Sequence, residues 1–295
     1  MTNYIFLSLL GAFLYSLAGI SGKLATKHQV KDLGALIFWL AFSALPLVPI
    51  LFILSGHIQN PLHSIFPLTL FIVVTAIATY LMWKALYTME ITVFQPLFSA
   101  QTIFVAILAY FILHERFSIN IYTSLLLAVI GGVLISYSEG TKFKAFFNKG
   151  SALMLAVIIL FAVSDILVKL NLITGLDPWN FKAWSIVGLF IVFSPVYVAS
   201  RKQLTASVKQ VLPLAANNLF AISAQVAVYN AFKQNVTISQ ALAMFGGVFT
   251  LVIVTAISRF YPKWLEQHSL KVYLVRFVGC VLMLLASVLI VVQNK

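Results

Sequence analysis

Asp165 and Lys169 stand four residues apart in an apolar segment, so on a helix they share one face and can form an ion pair. An Asp or Lys at the centre of a membrane helix costs about 2.5–3.5 kcal/mol on insertion scales, so each requires a compensating structure or a function. If the segment is helical, Asp165 lies about 5 Å past its middle. The pair then has two readings: a structural ion pair that lets Lys169 reach the headgroups, or a charged pair lining a polar cavity. A second cluster gathers Asn217, Asn218, Gln225, Tyr229 and Asn230 in one later segment. Of these, Asn218, Gln225 and Tyr229 share a helical face, which suits a water-accessible cavity better than hydrogen bonding between helices alone. Tyr80, Lys84 and Tyr87 recur at i, i+4 and i+7 with Trp83 beside them, a polar aromatic stripe of the same kind. Gln95, Gln101 and Gln240 add amides near the starts of two further apolar segments. Lys23 is close to the end of the first, where a lysine can equally snorkel to the interface.

Groups suited to bond-making chemistry are missing. The five histidines, His28, His57, His63, His114 and His268, are scattered in loops without an H-E-x-x-H pattern, and no glycine-rich phosphate loop follows a strand. The single cysteine, Cys280, lies inside the last apolar run as a packing residue. Glu115 and Glu266 fall at helix boundaries, where capping or pairing with nearby bases is the expected role. No catalytic residue, metal or cofactor follows from these residues, and an enzyme is disfavoured.

What must position the polar groups is a set of membrane helices. With 62% hydrophobic and 9% charged residues, the chain cannot cover a soluble surface, and apolar runs fill nearly all of its 295 residues. The pattern predicts ten helices: Tyr4–Leu24, Gly34–Ser55, Phe66–Tyr87, Thr92–Leu113, Ile119–Tyr137, Ser151–Leu172, Asn180–Ala199, Val211–Ala231, Ile238–Ser258 and Leu270–Val292. The first follows an uncharged start and is too long for a cleaved signal. The net charge of +12 belongs to loops that meet headgroups, not to a nucleic-acid surface.

The chain also reads twice. Leu14, Ile20, Lys23 and Leu24 recur as Leu160, Ile166, Lys169 and Leu170; Thr92, Gln95 and Leu97 as Thr237, Gln240 and Leu242; Glu115, Ser118 and Tyr122 as Glu266, Ser269 and Tyr273. The expected fold is therefore an all-α polytopic membrane protein, ten transmembrane helices in two inverted five-helix repeats. Residues 1–140 form the first repeat, 141–150 the connecting loop and 151–295 the second. The halves differ at Gly19 against Asp165 and Lys84 against Asn230, places where an asymmetric ligand would want different groups. Ala18 with Gly22, Ala128 with Gly132, and Gly246-Gly247 permit close helix approach. Five basic residues, Lys169 and Lys182 among them, fall on the side of the N-terminus against fourteen opposite, which points to both termini outside.

The paired five-helix units, the Glu-x-x-Ser step before each unit's last helix and the Ala128–Gly132 spacing resemble the drug/metabolite transporter superfamily, specifically the EamA-like permeases. Met283 replaces the second small residue in the last helix. The resemblance implies two inverted bundles around a central cavity lined by the first, third, fourth, sixth, eighth and ninth helices, with alternating access. It also implies cytoplasmic termini, against the basic-residue count.

The expected function is a secondary transporter of a small polar metabolite, an amino acid or related zwitterion first, in the bacterial cytoplasmic membrane. Asp165 would face an amino group and Lys84 or Lys23 a carboxylate. The alternatives are an anionic cargo, such as a nucleotide conjugate or organic phosphate, and a non-transporting scaffold. Expected partners are the solute, the lipid bilayer and a coupling proton or ion, with the chain as monomer or homodimer and no nucleic acid.

Overall fold

A computed structural model describes residues 2–28, 32–88, 101–116, 118–135, 149–199, 208–243, 245–260 and 269–293. Gln95, Thr92 and Glu266 lie outside the described residues.

Hydrocarbon offers a peptide group no water to bond, so a spanning segment must satisfy its backbone internally, and the described residues are accordingly helical with no strand among them. In chain order the helices are α1 (Thr2–His28), α2 (Leu33–Ala44), α3 (Leu47–Ser55), α4 (Ile65–Thr88), α5 (Gln101–Leu108) and α6 (Ile119–Ile135). They continue as α7 (Lys149–Ile173), α8 (Pro178–Ala199), α9 (Val208–Phe232), α10 (Val236–Ala243), α11 (Gly246–Phe260) and α12 (Leu270–Gln293). A π-helical turn, Ala109–Leu113, extends α5 and stops at His114, whose φ of 55° is left-handed. Among the described residues six stretches are long and apolar enough to cross a membrane: Asn3–Ala25, Leu33–Ser55, Pro61–Tyr87, Leu153–Ile173, Gln210–Phe232 and Val236–Ile257.

Two of these stretches are broken helices. Pro46, which has no N–H to donate, separates α2 from α3. The second break divides α10 from α11 just before Gly246-Gly247. Elsewhere the ends are capped locally: Asp32 accepts from Ala35 N at 2.7 Å to start α2, and Asp177 accepts from Trp179 N at 2.9 Å to start α8.

The packing has a pattern. The largest interfaces join α1 to α9, α6 to α12 and α4 to α7, followed by α1 with α10 and α11, α2 and α3 with α8, α5 with α7, α2 with α9, and α4 with α8. Exchanging α1 with α7, α4 with α9, the α2–α3 pair with α8, and α5 with α10–α11 converts each of these interfaces into another of the set or into itself. Small residues allow the closest approaches. A Cβ on Gly131 of α6 would stand 2.7 Å from Gly279 O of α12, and one on Gly11 of α1 would stand 2.4 Å from Val228 Cγ2 of α9.

Candidate functional site

A cavity of about 270 Å³ lies in the middle of the bundle, near the lower end of the roughly 300–1,000 Å³ usual for small-molecule pockets. Its walls come from α1, α4, α7, α9, α10 and the first residues of α5 and α11, with α2 and α8 as well. Those last two helices enlarge the lining expected from the resemblance: Leu40, Ala41 and Ala44 of α2 and Lys182, Ile186, Leu189 and Phe193 of α8 reach the cavity.

Eight of the sequence-derived residues line it: Trp83, Gln101, Asp165, Asn217, Asn218, Gln225, Tyr229 and Gln240. Asp165 lies eight residues before the end of α7, about 12 Å along its axis. The break between α10 and α11 comes at a similar depth and also borders the cavity, through Ala243, Gly246 and Gly247. Asp165 does not pair with Lys169. Its Oδ2 instead accepts a 2.6 Å hydrogen bond from Gln101 Nε2. Four-residue spacing places Asp165 and Lys169 on one side of α7, but Lys169 extends toward the helix end, where two carbonyls compete for it.

The eighth-segment amides divide their atoms between packing and cavity. Asn217 Nδ2 donates to Ala18 O of α1 at 2.7 Å, and Asn218 Nδ2 to Leu40 O and Ser43 Oγ of α2 at 2.6 and 2.8 Å. Gln225 Oε1 and Trp83 Nε1 are buried at the cavity without a hydrogen-bond partner. Such groups would welcome a polar ligand atom, since an unmet buried donor or acceptor costs about 1–3 kcal/mol.

Five expected residues lie elsewhere. Lys23 donates from Nζ to Leu86 O at 3.1 Å, and Lys169 to Phe232 O at 2.7 Å and Lys233 O at 3.1 Å, so both close the carboxyl ends of helices. Tyr80, 44% exposed, and Lys84 face the outside of the bundle, because it is the opposite side of α4, with Thr75, Thr79, Met82, Trp83 and Leu86, that borders the cavity. Asn230 Nδ2 donates to Val226 O of its own helix. The contrast of Gly19 with Asp165 thus falls inside the cavity, whereas that of Lys84 with Asn230 does not.

Lys182 is the charged cavity-lining residue that sequence reasoning missed. It lines the cavity and is 5% exposed. Counted as a loop-side cation, it gave no sign beyond standing four residues inside the helix that begins at Pro178. Lys169 shared that miscount, so the orientation inferred from loop charge loses two of its entries.

One end of the bundle is stitched together by hydrogen bonds between its loops. Beyond Lys182, where α3 runs toward α4 and α7 into α8, Gln59 N donates to Asn180 Oδ1 at 2.9 Å and Asp177 N to Gln59 Oε1 at 2.7 Å. Asn180 Nδ2 donates to Ser55 Oγ at 2.6 Å and to His57 O at 3.0 Å, and Ser55 Oγ to Asp177 Oδ2 at 3.0 Å. At the same end Glu115 caps α10, accepting from Val236 N, Thr237 N and Thr237 Oγ1 at 3.2, 3.4 and 2.8 Å.

Long apolar helices around a largely apolar, solute-sized chamber at mid-bundle mark a multi-pass membrane protein. Residues 2–137, somewhat under half of the chain, match the EamA-like transporter family. The fold has a counterpart in a crystal structure of another protein, similar over 100% of this chain and 98% of that one with a TM-score of 0.73 at 11% identity. No curated protein matches the sequence.

Proposed function

We propose that this chain is a transporter and carries a small zwitterionic metabolite of the amino-acid type across a bacterial cytoplasmic membrane by alternating access. The observation that carries the reading is Asp165: a carboxylate held by Gln101 at the centre of a largely apolar chamber is suited to an ammonium group. Its repeat counterpart on α1, Gly19, brings no second charge to the cavity, so the chamber can hold its ligand in one orientation. The volume favours a small metabolite over a nucleotide conjugate.

Ten helices in two inverted repeats, 1–140 and 151–295, remain the reading of the architecture. The exchange of helix pairs in the packing supports it, as does the equivalence of the Lys23 and Lys169 bonds. Alternating access draws support from the stitched end and from the helix break at the chamber, since discontinuous helices commonly border transporter sites.

The experiment is thermal unfolding of the purified protein with L-amino acids and, separately, with organic phosphates. A ligand specific to the native state at 100 times its Kd stabilises by about 2.7 kcal/mol. Protection by amino acids is expected; protection by phosphates alone would replace this reading with an anion carrier.

A further inference from the structure

We infer that Lys182 is the carboxylate-recognising group of the cavity, the anionic counterpart of Asp165; this rests on the zwitterion reading above and assigns its second charge. Lys182 is 5% exposed, borders the chamber, and among the described residues its Nζ has no hydrogen-bond or ion-pair partner. The other lysines near the chamber are not in that position. Lys23 and Lys169 are each held by helix carbonyls, and Lys84 is on the outer surface. A buried ammonium without a partner is the costliest polar arrangement a helix can carry, and a ligand carboxylate reverses that cost through a charge-assisted hydrogen bond.

The chain geometry fits a compact zwitterion. Asp165 is eight residues before the end of α7 and Lys182 four residues after the start of α8, so along the bundle axis they differ by about 6 Å. The bundle-end stitching begins two residues beyond, at Asn180. A carboxylate bound at Lys182 therefore lies in the part of the chamber nearest that stitching. Ile186, Leu189 and Phe193 follow on the same helix and give the rest of the molecule an apolar wall.

The test compares L-leucine, L-leucinamide and N-acetyl-L-leucine by thermal stabilisation of the full-length protein, in the native form and in Lys182→Met, Lys182→Arg and Asp165→Asn. In the native protein leucine should bind about ten- to hundredfold more tightly than leucinamide. Lys182→Met should make acid and amide equal, and Lys182→Arg should restore the preference, which separates recognition from a folding defect. An acid preference that survives intact in Lys182→Met would overturn the assignment and leave the zwitterion reading standing. Binding of N-acetyl-leucine equal to leucine, lost in Lys182→Met and indifferent to Asp165→Asn, would uphold Lys182 while overturning the zwitterion reading. Failure of all three probes to stabilise the native protein would overturn both.

Discussion

Lys23 and Lys169 make the same bond in two places. Lys23 Nζ donates to Leu86 O, 63 residues ahead, and Lys169 Nζ donates to Phe232 O, also 63 residues ahead. Each lysine leaves the end of one long helix to satisfy a carbonyl in the last turn of another, where the macrodipole is negative and backbone acceptors are otherwise orphaned. The two bonds lock α1 to α4 and α7 to α9.

Replacing either lysine should therefore affect stability before it affects ligand recognition. Lys23→Met and Lys169→Met are each expected to destabilise by about 1–3 kcal/mol, from the loss of a charged hydrogen bond to a carbonyl. Ligand affinity of the protein that remains folded should change little. Thermal unfolding in detergent, paired with ligand titration, measures both; loss of affinity without loss of stability would return these lysines to the binding site.

Tyr80 and Lys84 should be silent. Both are on the outer face of α4, so Tyr80→Phe and Lys84→Gln are expected to leave transport rates within about twofold, an energetic change of under 0.5 kcal/mol. Flux in proteoliposomes checks this, and a severe loss in Lys84→Gln would show that the outer stripe matters to the cycle.

The stitched end should behave as a clasp. Asn180→Ala together with Gln59→Ala removes bonds worth about 0.5–1.5 kcal/mol each and should favour the form open at that end. In a Cys280→Ala background with Ser164→Cys as reporter in the chamber, an impermeant maleimide added on that side should label faster in the double variant. Unchanged labelling would mean that these bonds brace loops without restricting entry.

Gly131→Ala should weaken the α6–α12 seam. The added methyl would press on Gly279 O at 2.7 Å and Met283 N at 3.0 Å, both backbone atoms, so relief requires a helix to move. Such overpacking costs about 1–3 kcal/mol, readable as a lower unfolding temperature with binding intact.

Much of this was legible in the residues. Hydropathy placed six of the ten expected membrane stretches where the described residues carry long apolar helices, because twenty apolar residues have few alternatives to a spanning helix. The period of 3.6 put Asn218, Gln225 and Tyr229 on one face, and that face borders the cavity. Direction was harder to read. Tyr80, Lys84 and Tyr87 formed as regular a stripe as any, yet periodicity identifies a face without saying whether it turns inward. Long lysine side chains misled twice in opposite ways. Lys169 was near Asp165 in register but reached for a helix end, whereas Lys182 looked like a boundary cation and was folded into the interior. The Gly19 and Asp165 contrast does fall at the cavity, where both residues form part of the lining.

The central claim is that Asp165 holds the cationic end of the solute. Uptake or efflux of the amino acid that best stabilises the purified protein should be compared between the native form and Asp165→Asn, with membrane insertion verified for both. Transport should be abolished in the variant with insertion and folding preserved; transport at the native rate through Asp165→Asn would contradict this role for Asp165.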